Sequence, residues 1–444
     1  MKTPIYDFVK KYGESGFCRF HMPGHKGKPH LGVEKYDITE IEGADNLYSP
    51  SGIILESEEN ASALFGTAHS FYSAEGSTLA IKAMLAVALS GKSRRPRVLA
   101  ARNAHKAFIY AAALLDFDVE WLFPESFSHL CSCLVTPSEI AAALDTVKPD
   151  ALYLTTPDYL GNILDIEAIS RECKKREVPL LVDNAHGAYL AFLKPSMHPV
   201  ALGADMCCDS AHKTLPVLTG GAYLHISEKA SAEYLSSARR MMSLFASTSP
   251  SYVILESLDL CNKYLSSGYI ERLSDTVLKV EKVKSELSLC GYTVEVSEPL
   301  KITVNAAEYG YSGTELAEAL RKNKIEVEYA DSEYVVFMVT PENSDSDLER
   351  LVSAMKGIPK LNKIIIKESF IPDKIRVTKM SIREAMFSDT ERIAVENSVG
   401  RICASPTVSC PPAVPIAVSG ELISENDVKH FIRHGIYFVD VVKE

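Results

Sequence analysis

Asp209-Ser-Ala-His-Lys-Thr-Leu-Pro-Val-Leu-Thr-Gly-Gly221 sets one amine, Lys213, among small and polar residues, Ser210, His212 and Thr214, that suit a phosphate. The preceding Ala201-Leu-Gly-Ala-Asp-Met-Cys-Cys208 reads as a turn running into a short buried strand, since apolar residues follow Gly203 with only Asp205 interrupting. Lys213 then lies just past a strand end, where open α/β sheets meet their ligands. A surface lysine in a polar turn is the competing reading of this segment taken alone.

Working outward, the chain before Lys213 alternates strand and helix patterns. Strands are expected over 97–101, 118–123, 151–155 and 178–183, and helices over 105–115, 137–147 and 166–176. Repeated βα units imply a parallel sheet covered on both faces. Asp183 closes the last of these strands within Val182-Asp-Asn-Ala-His-Gly-Ala188. A carboxylate there is costly unless something cationic meets it, or unless it caps the following turn. Further upstream, 52–65 has helical spacing, and Ser70-Phe-Tyr-Ser-Ala-Glu-Gly-Ser-Thr78 turns sharply into a helix over 79–89. Gly76, Ser77 and Thr78 at its N-terminus offer an anion site, with ordinary capping as the alternative.

The remaining regions are less regular. Residues 1–50 read as an irregular, extended arm built around Phe20-His-Met-Pro-Gly-His-Lys-Gly27. His21 and His25 are four apart, but Pro23-Gly24 between them breaks any shared helical face, so a metal pair is not expected. After Lys213, the run 250–289 is strongly helical. Strands over 292–296, 301–305 and 334–339, and helices over 314–322 and 345–355, make a smaller α+β domain, with a proline-rich loop at 406–415. The expected division is an arm at 1–50, a major domain at 51–255, and a linker helix with a C-terminal domain at 256–444.

A chain of 444 residues is long enough for two or three units and a large buried site. Its net charge of -11 argues against nucleic acid as a partner. The N-terminus lacks an apolar run of signal length, and the apolar stretch 79–89 is broken by Lys82 and too short to span a bilayer, so a cytoplasmic, non-membrane protein is expected. Ten cysteines without a Cys-x-x-Cys pattern, paired closely only at Cys131/Cys133 and Cys207/Cys208, read as reduced core thiols rather than zinc ligands.

A lysine past a strand end, a carboxylate at another strand end and a Gly-Ser-Thr helix start are the three things pyridoxal 5'-phosphate needs: an amine to form an imine, an anion to keep the ring nitrogen protonated, and donors for the phosphate. His105, in Arg102-Asn-Ala-His-Lys106, could stack on the ring, although a lone histidine is more often structural. The chain resembles the Orn/Lys/Arg decarboxylases, fold-type I pyridoxal-phosphate enzymes, in their short form without an N-terminal wing. The motifs that carry the resemblance include Phe20–Gly27, Gly76–Thr78, Arg102–Lys106, Val182–Gly187, Ser210–Thr214, Ser247-Thr-Ser-Pro-Ser-Tyr252 and Lys379-Met-Ser-Ile-Arg-Glu-Ala385.

The resemblance implies a large α/β domain with a mostly parallel sheet and a smaller α+β C-terminal domain. It implies that Lys213 carries the cofactor and Asp183 pairs with the ring nitrogen. Gly76, Ser77, Thr78, Ser210 and His212 would hold the phosphate, His105 would stack, and Ala185 and His186 would line the other side of the ring. Thr248 and Ser249 would reach the neighbouring subunit's cofactor, making a homodimer with shared sites. The implied reaction is α-decarboxylation of a basic amino acid, with catalytic roles for Lys213, Asp183, His212 and His186. An aminotransferase or lyase on the same fold, or a silent cofactor-binding protein, would use the same cofactor residues.

Departures from the family pattern fall around the substrate rather than the cofactor. Glu75 stands where a neutral residue is usual, Asp158 replaces a threonine, and Ala404-Ser405 and Ser409-Cys-Pro-Pro-Ala-Val-Pro415 lose a Glu, a Tyr and a Gly. Asp45, Glu75 and Asp158 are the candidate partners for a cationic side chain.

Overall fold

The computed structural model describes residues 1–92, 94–125, 129–364, 373, 376–406, 408 and 413–444; Ser409 and Cys410 of the altered C-terminal motif lie outside them. The large sheet uses, in chain order, β1 (His69–Ser73), β2 (Arg97–Ala101), β3 (Asp118–Leu122), β4 (Ala151–Thr155), β5 (Leu180–Asp183), β6 (Met206–Asp209) and β7 (Ala222–Ile226). Then come β8 (Thr293–Val294), β9 (Lys301–Asn305), β10 (Tyr329–Ala330), β11 (Tyr334–Met338), β12 (Thr390–Ala394) and β13 (Phe438–Val442).

Two compact units emerge, Met1–Gly91 with Ile166–Leu273, and Lys92–Asp165 with Ser274–Glu444. In the first, the strands of the large, mostly parallel sheet run β1-β7-β6-β5. β5 and β6 are parallel, whereas β7 is antiparallel to both β6 and β1. In the second, they run β4-β2-β3 and are parallel. This unit also carries the antiparallel sheet β10-β11-β9-β8 and the pair β12-β13.

Local sequence explains most of these elements. β5 and β6 are buried at every residue, as strands covered on both faces must be, and so read as apolar runs up to their closing residues, Asp183 and Asp209. The helix Gly76–Leu89 buries everything from Leu79 to Leu89 except Lys82, because its apolar residues cover all sides rather than one stripe. The helix Pro137–Val147 begins with a capping box, in which Thr136 accepts from the Glu139 backbone and the Glu139 side chain reaches back.

The structure departs from the sequence reading in three places. Residues 1–50 are not wholly irregular: Pro4–Glu14 is a helix, with proline where its missing N–H is harmless and Ile5 and Val9 buried one turn apart. Asp259 Oδ2 accepts the N–H groups of Ile5 and Tyr6 at 2.9 and 3.0 Å, so the helix start is satisfied from 250 residues away in sequence. Residues 69–73, read as part of a turn, form β1 against β7, which had no assignment; only the cross-strand partner makes them a strand. Finally, 250–289 is broken into Tyr252–Leu265 and Tyr269–Leu289.

Candidate active site

The order β1-β7-β6-β5 assembles the site within the first unit. β7 lies between β1 and β6, with Ser73 opposite Ala222 and Asp209 opposite Tyr223. The turn leaving β1 and the turn leaving β6 therefore emerge on either side of the start of β7. On the other flank, Asp183 at the end of β5 pairs with Cys208 of β6. Gly76, Lys213 and Asp183 thus lie at the same end of the four neighbouring strands β1, β7, β6 and β5.

Gly76 opens the helix with φ +71°, which a side chain would resist, and its N–H donates to Gly220 O at 2.7 Å. Glu75 occupies the N-cap without capping the helix. Among the described residues, the first-turn N–H groups of Ser77 and Thr78 have no recorded protein acceptor, as expected of an uncapped helix start. Ser210 Oγ donates to Ser77 Oγ at 2.8 Å, so the β6 turn and the helix start present adjacent hydroxyls.

Lys213 sits on the short helix Ala211–Thr214, half-buried, its Nζ 2.9 Å from His186 Nε2. An ammonium only donates, so His186 accepts there. His212 Nδ1–H donates to Gly221 O at 3.0 Å, and burial lowers its pKa, so the ring is neutral and Nε2 carries the lone pair. Asp183 is buried; its Oδ1 accepts the Ala185 N–H at 3.2 Å and the Cys208 thiol at 3.7 Å. The Thr214 hydroxyl is buried with no partner among the described residues.

This donor set suits the cofactor: an amine past a strand end, a buried carboxylate, and hydroxyls beside open N–H groups at a helix start. Thr248 and Ser249 are exposed, and the Ser249 N–H donates to Ser247 Oγ at 3.1 Å. Their segment is tethered in its own chain, because Ser247 N–H donates to Glu75 Oε1 at 2.6 Å. That bond turns the Glu75 carboxylate toward the 247–249 turn. His105 belongs to the second unit, where it N-caps the helix Lys106–Leu115 by accepting the Ala107 N–H at Nδ1.

The candidate substrate carboxylates are occupied. Asp45 takes the N–H groups of Asn46, Ser51, Gly52 and Ile54 at 2.9–3.0 Å; burial opposes its charge, but these bonds prevail and hold its pKa below the usual range. Asp158, in the second unit, is buried and accepts from Leu160, Asn162 N–H and Asn162 Nδ2, while burial raises its pKa. Both carboxylates shape their own turns. Ser405 contacts Asp440 at 3.4 Å.

Sequence reasoning passed over Asn184 and Asp209, neighbours of Asp183 and Ser210. Asn184 Nδ2 donates to Asp209 Oδ1 at 2.7 Å, which ties the two strand ends together. The signal available was a polar residue closing an apolar run, Asp183-Asn184 after Leu180-Leu-Val182 and Asp209 after Met206-Cys-Cys208.

Residues 3–306 match the family model for the Orn/Lys/Arg decarboxylase major domain. The uncharacterized protein YaaO of Bacillus subtilis is 30% identical over 98% of this chain and 94% of its own length. The arginine decarboxylase of Halalkalibacterium halodurans is 29% identical over 97% of this chain and 92% of its own. Among solved structures, the Francisella novicida lysine decarboxylase LdcF superposes with a TM-score of 0.82 at 16% identity, over 99% of this chain and 81% of its own, a likeness of fold alone. With the matched domain and the site geometry in agreement, the chain belongs to the Orn/Lys/Arg decarboxylase family, whose enzymes depend on pyridoxal 5'-phosphate.

Proposed function

We propose that this protein removes the α-carboxylate of arginine or lysine, releasing carbon dioxide and the corresponding amine, with arginine first. The observation that carries the reading is the Lys213–His186 contact at 2.9 Å, just past β6 and beside the Ser210–Ser77 pair. The preference for a guanidinium follows relatives named arginine decarboxylase, which match almost the full chain.

Lys213 would hold the cofactor, Asp183 would face its ring nitrogen, and Ser77, Thr78 and Ser210 would hold its phosphate. When bound, the cofactor supplies the electron sink that lets a carboxylate leave as carbon dioxide. His186 orients the Lys213 amine by accepting from it. Lys213, and His212 once its Nε2 lone pair has taken up a proton, are the groups that would return a proton to the substrate carbon. Ala185 lines the ring in this reading, and Thr248 and Ser249 serve the neighbouring subunit of a homodimer. The domain reading is 51–255 for cofactor binding and 256–444 for the linker and C-terminal domain.

The test is a panel of arginine, lysine, ornithine and neutral amino acids with the cofactor-loaded protein, reading both carbon dioxide and amine. Arginine or lysine turnover is expected. Release from neutral substrates alone, keto-acid formation, or silence with a normal cofactor spectrum would each overturn the proposal.

A further inference from the structure

Behind the strand ends lies a cluster that the reaction does not use. Side chains alternate along β6, so Cys207 and Asp209 share a face, each flanked by a residue facing the other way. The β6–β7 register sets His225 directly opposite Cys207, and His198 comes in from the loop before β6. His198, Asp209, Cys207 and His225 are each fully buried.

The ligand atoms converge. His198 Nε2 and His225 Nε2 lie 3.1 and 3.2 Å from the same oxygen, Asp209 Oδ2. Cys207 Sγ is 3.7 Å from His198 Nε2 and 3.9 Å from Asp209 Oδ1. The ligand atoms of His198, Cys207 and Asp209 all lie within 4.8 Å of one another. Bonds of about 2.0–2.3 Å to a tetrahedral zinc place its ligands about 3.3–3.8 Å apart, close to the spacing here.

The surroundings are those of a metal centre. Asp209 Oδ1 accepts from Asn184 at 2.7 Å, so a ligating carboxylate would be fixed from behind, and His225, whose Nδ1 lies 2.8 Å from Ser70 Oγ, holds the other carboxylate oxygen at Nε2. His198 Nδ1 is buried without a partner among the described residues, so no protein group fixes that ring through its other nitrogen.

We propose that His198, Cys207 and Asp209 bind one zinc ion, with His225 holding the Asp209 carboxylate and Cys207 as thiolate, its proton passing to solvent on binding. The ion would brace the ends of β5 and β6, through Asn184 and Asp209, behind Asp183 and Ser210. The site stands apart from the proposed substrate and needs no turnover to be tested.

Full-length, cofactor-loaded protein grown with zinc and dialysed against metal-free buffer should retain about one zinc per chain by elemental analysis. Cobalt substitution should give tetrahedral visible bands and a near-ultraviolet thiolate-to-cobalt band. Cys207→Ser should lose that band and most of the metal, whereas Cys261→Ser, a buried thiol elsewhere, should keep both. Folded wild-type protein without zinc above blank overturns the proposal, leaving a hydrogen-bonded cluster. So does zinc retained in full by Cys207→Ser, or a cobalt spectrum without the thiolate band; the wild-type spectrum decides even where a variant fails to fold.

Discussion

Replacing Glu256 by glutamine should stabilise the protein in a manner that depends on pH. Glu256 lies on the helix Tyr252–Leu265, 4% exposed, with Oε1 lacking a partner among the described residues. Burial, then the charges of Asp259 and Asp37, push its carboxyl up to about 8 from the ordinary 4.5. Between those values the folded chain keeps a proton that the unfolded chain has released. Stability therefore falls as pH rises, by about 1.4 kcal/mol per pH unit, and the loss reaches about 3 kcal/mol at pH 7. Glutamine cannot ionise in the unfolded chain, which removes this loss, but its buried amide costs about 1 kcal/mol. The net expectation is about 2 kcal/mol in favour of Glu256→Gln at pH 7, shrinking and changing sign near pH 5. Asp259, raised to about 6, titrates in both proteins, so its own burial cost cancels in the difference and only its repulsion of Glu256 remains. Urea unfolding followed by circular dichroism across this range measures the gap. Parallel pH curves for the two proteins would refute the assignment of a buried, protonated Glu256.

Asp45→Ala should cost about 1–2 kcal/mol at neutral pH, because the start of the helix Ile53–Phe65 loses its cap. Since the folded pKa of Asp45 is depressed, that stabilisation is present above the ordinary aspartate value and lost as pH falls through the folded one; urea midpoints at neutral and acid pH read both. Borohydride reduction of the loaded protein should attach the cofactor to the peptide containing Lys213; labelling of another lysine would refute the assignment. Asp183→Asn should keep the cofactor while kcat falls about a hundredfold or more, since an unprotonated ring is a weak electron sink; near-wild-type turnover would remove Asp183 from its role. Mixing inactive Lys213→Ala with a chain altered at Thr248 and Ser249 should restore part of the activity. Heterodimers seen by mass without recovered turnover would sink the shared site.

Much of this protein could be read without coordinates. The strands Arg97–Ala101, Ala151–Thr155 and Lys301–Asn305 and the helix Pro137–Val147 have the bounds read from the sequence. Their cues are local: unbroken apolar runs for strands covered on both faces, and Thr136-Pro137 with Glu139 for a helix start. Gly76, Asp183 and Lys213 can be picked out by type and order, because the proposed cofactor would ask for them whatever surrounds them. Pairing was not. β1 and β7 are strands only because each finds the other across about 150 residues of chain, and no window of sequence carries that information. The fate of a carboxylate was equally hidden: Asp45 and Asp158 looked like partners for a cation until the fold turned backbone N–H groups toward them. The convergence of His198, Cys207, Asp209 and His225 depends on strand register, since a slip of one residue between β6 and β7 would turn His225 to the other face. Sequence determines what each segment can be, through short-range sterics and hydrophobicity; which polar groups meet is decided only when the strands have paired and water has been excluded between them.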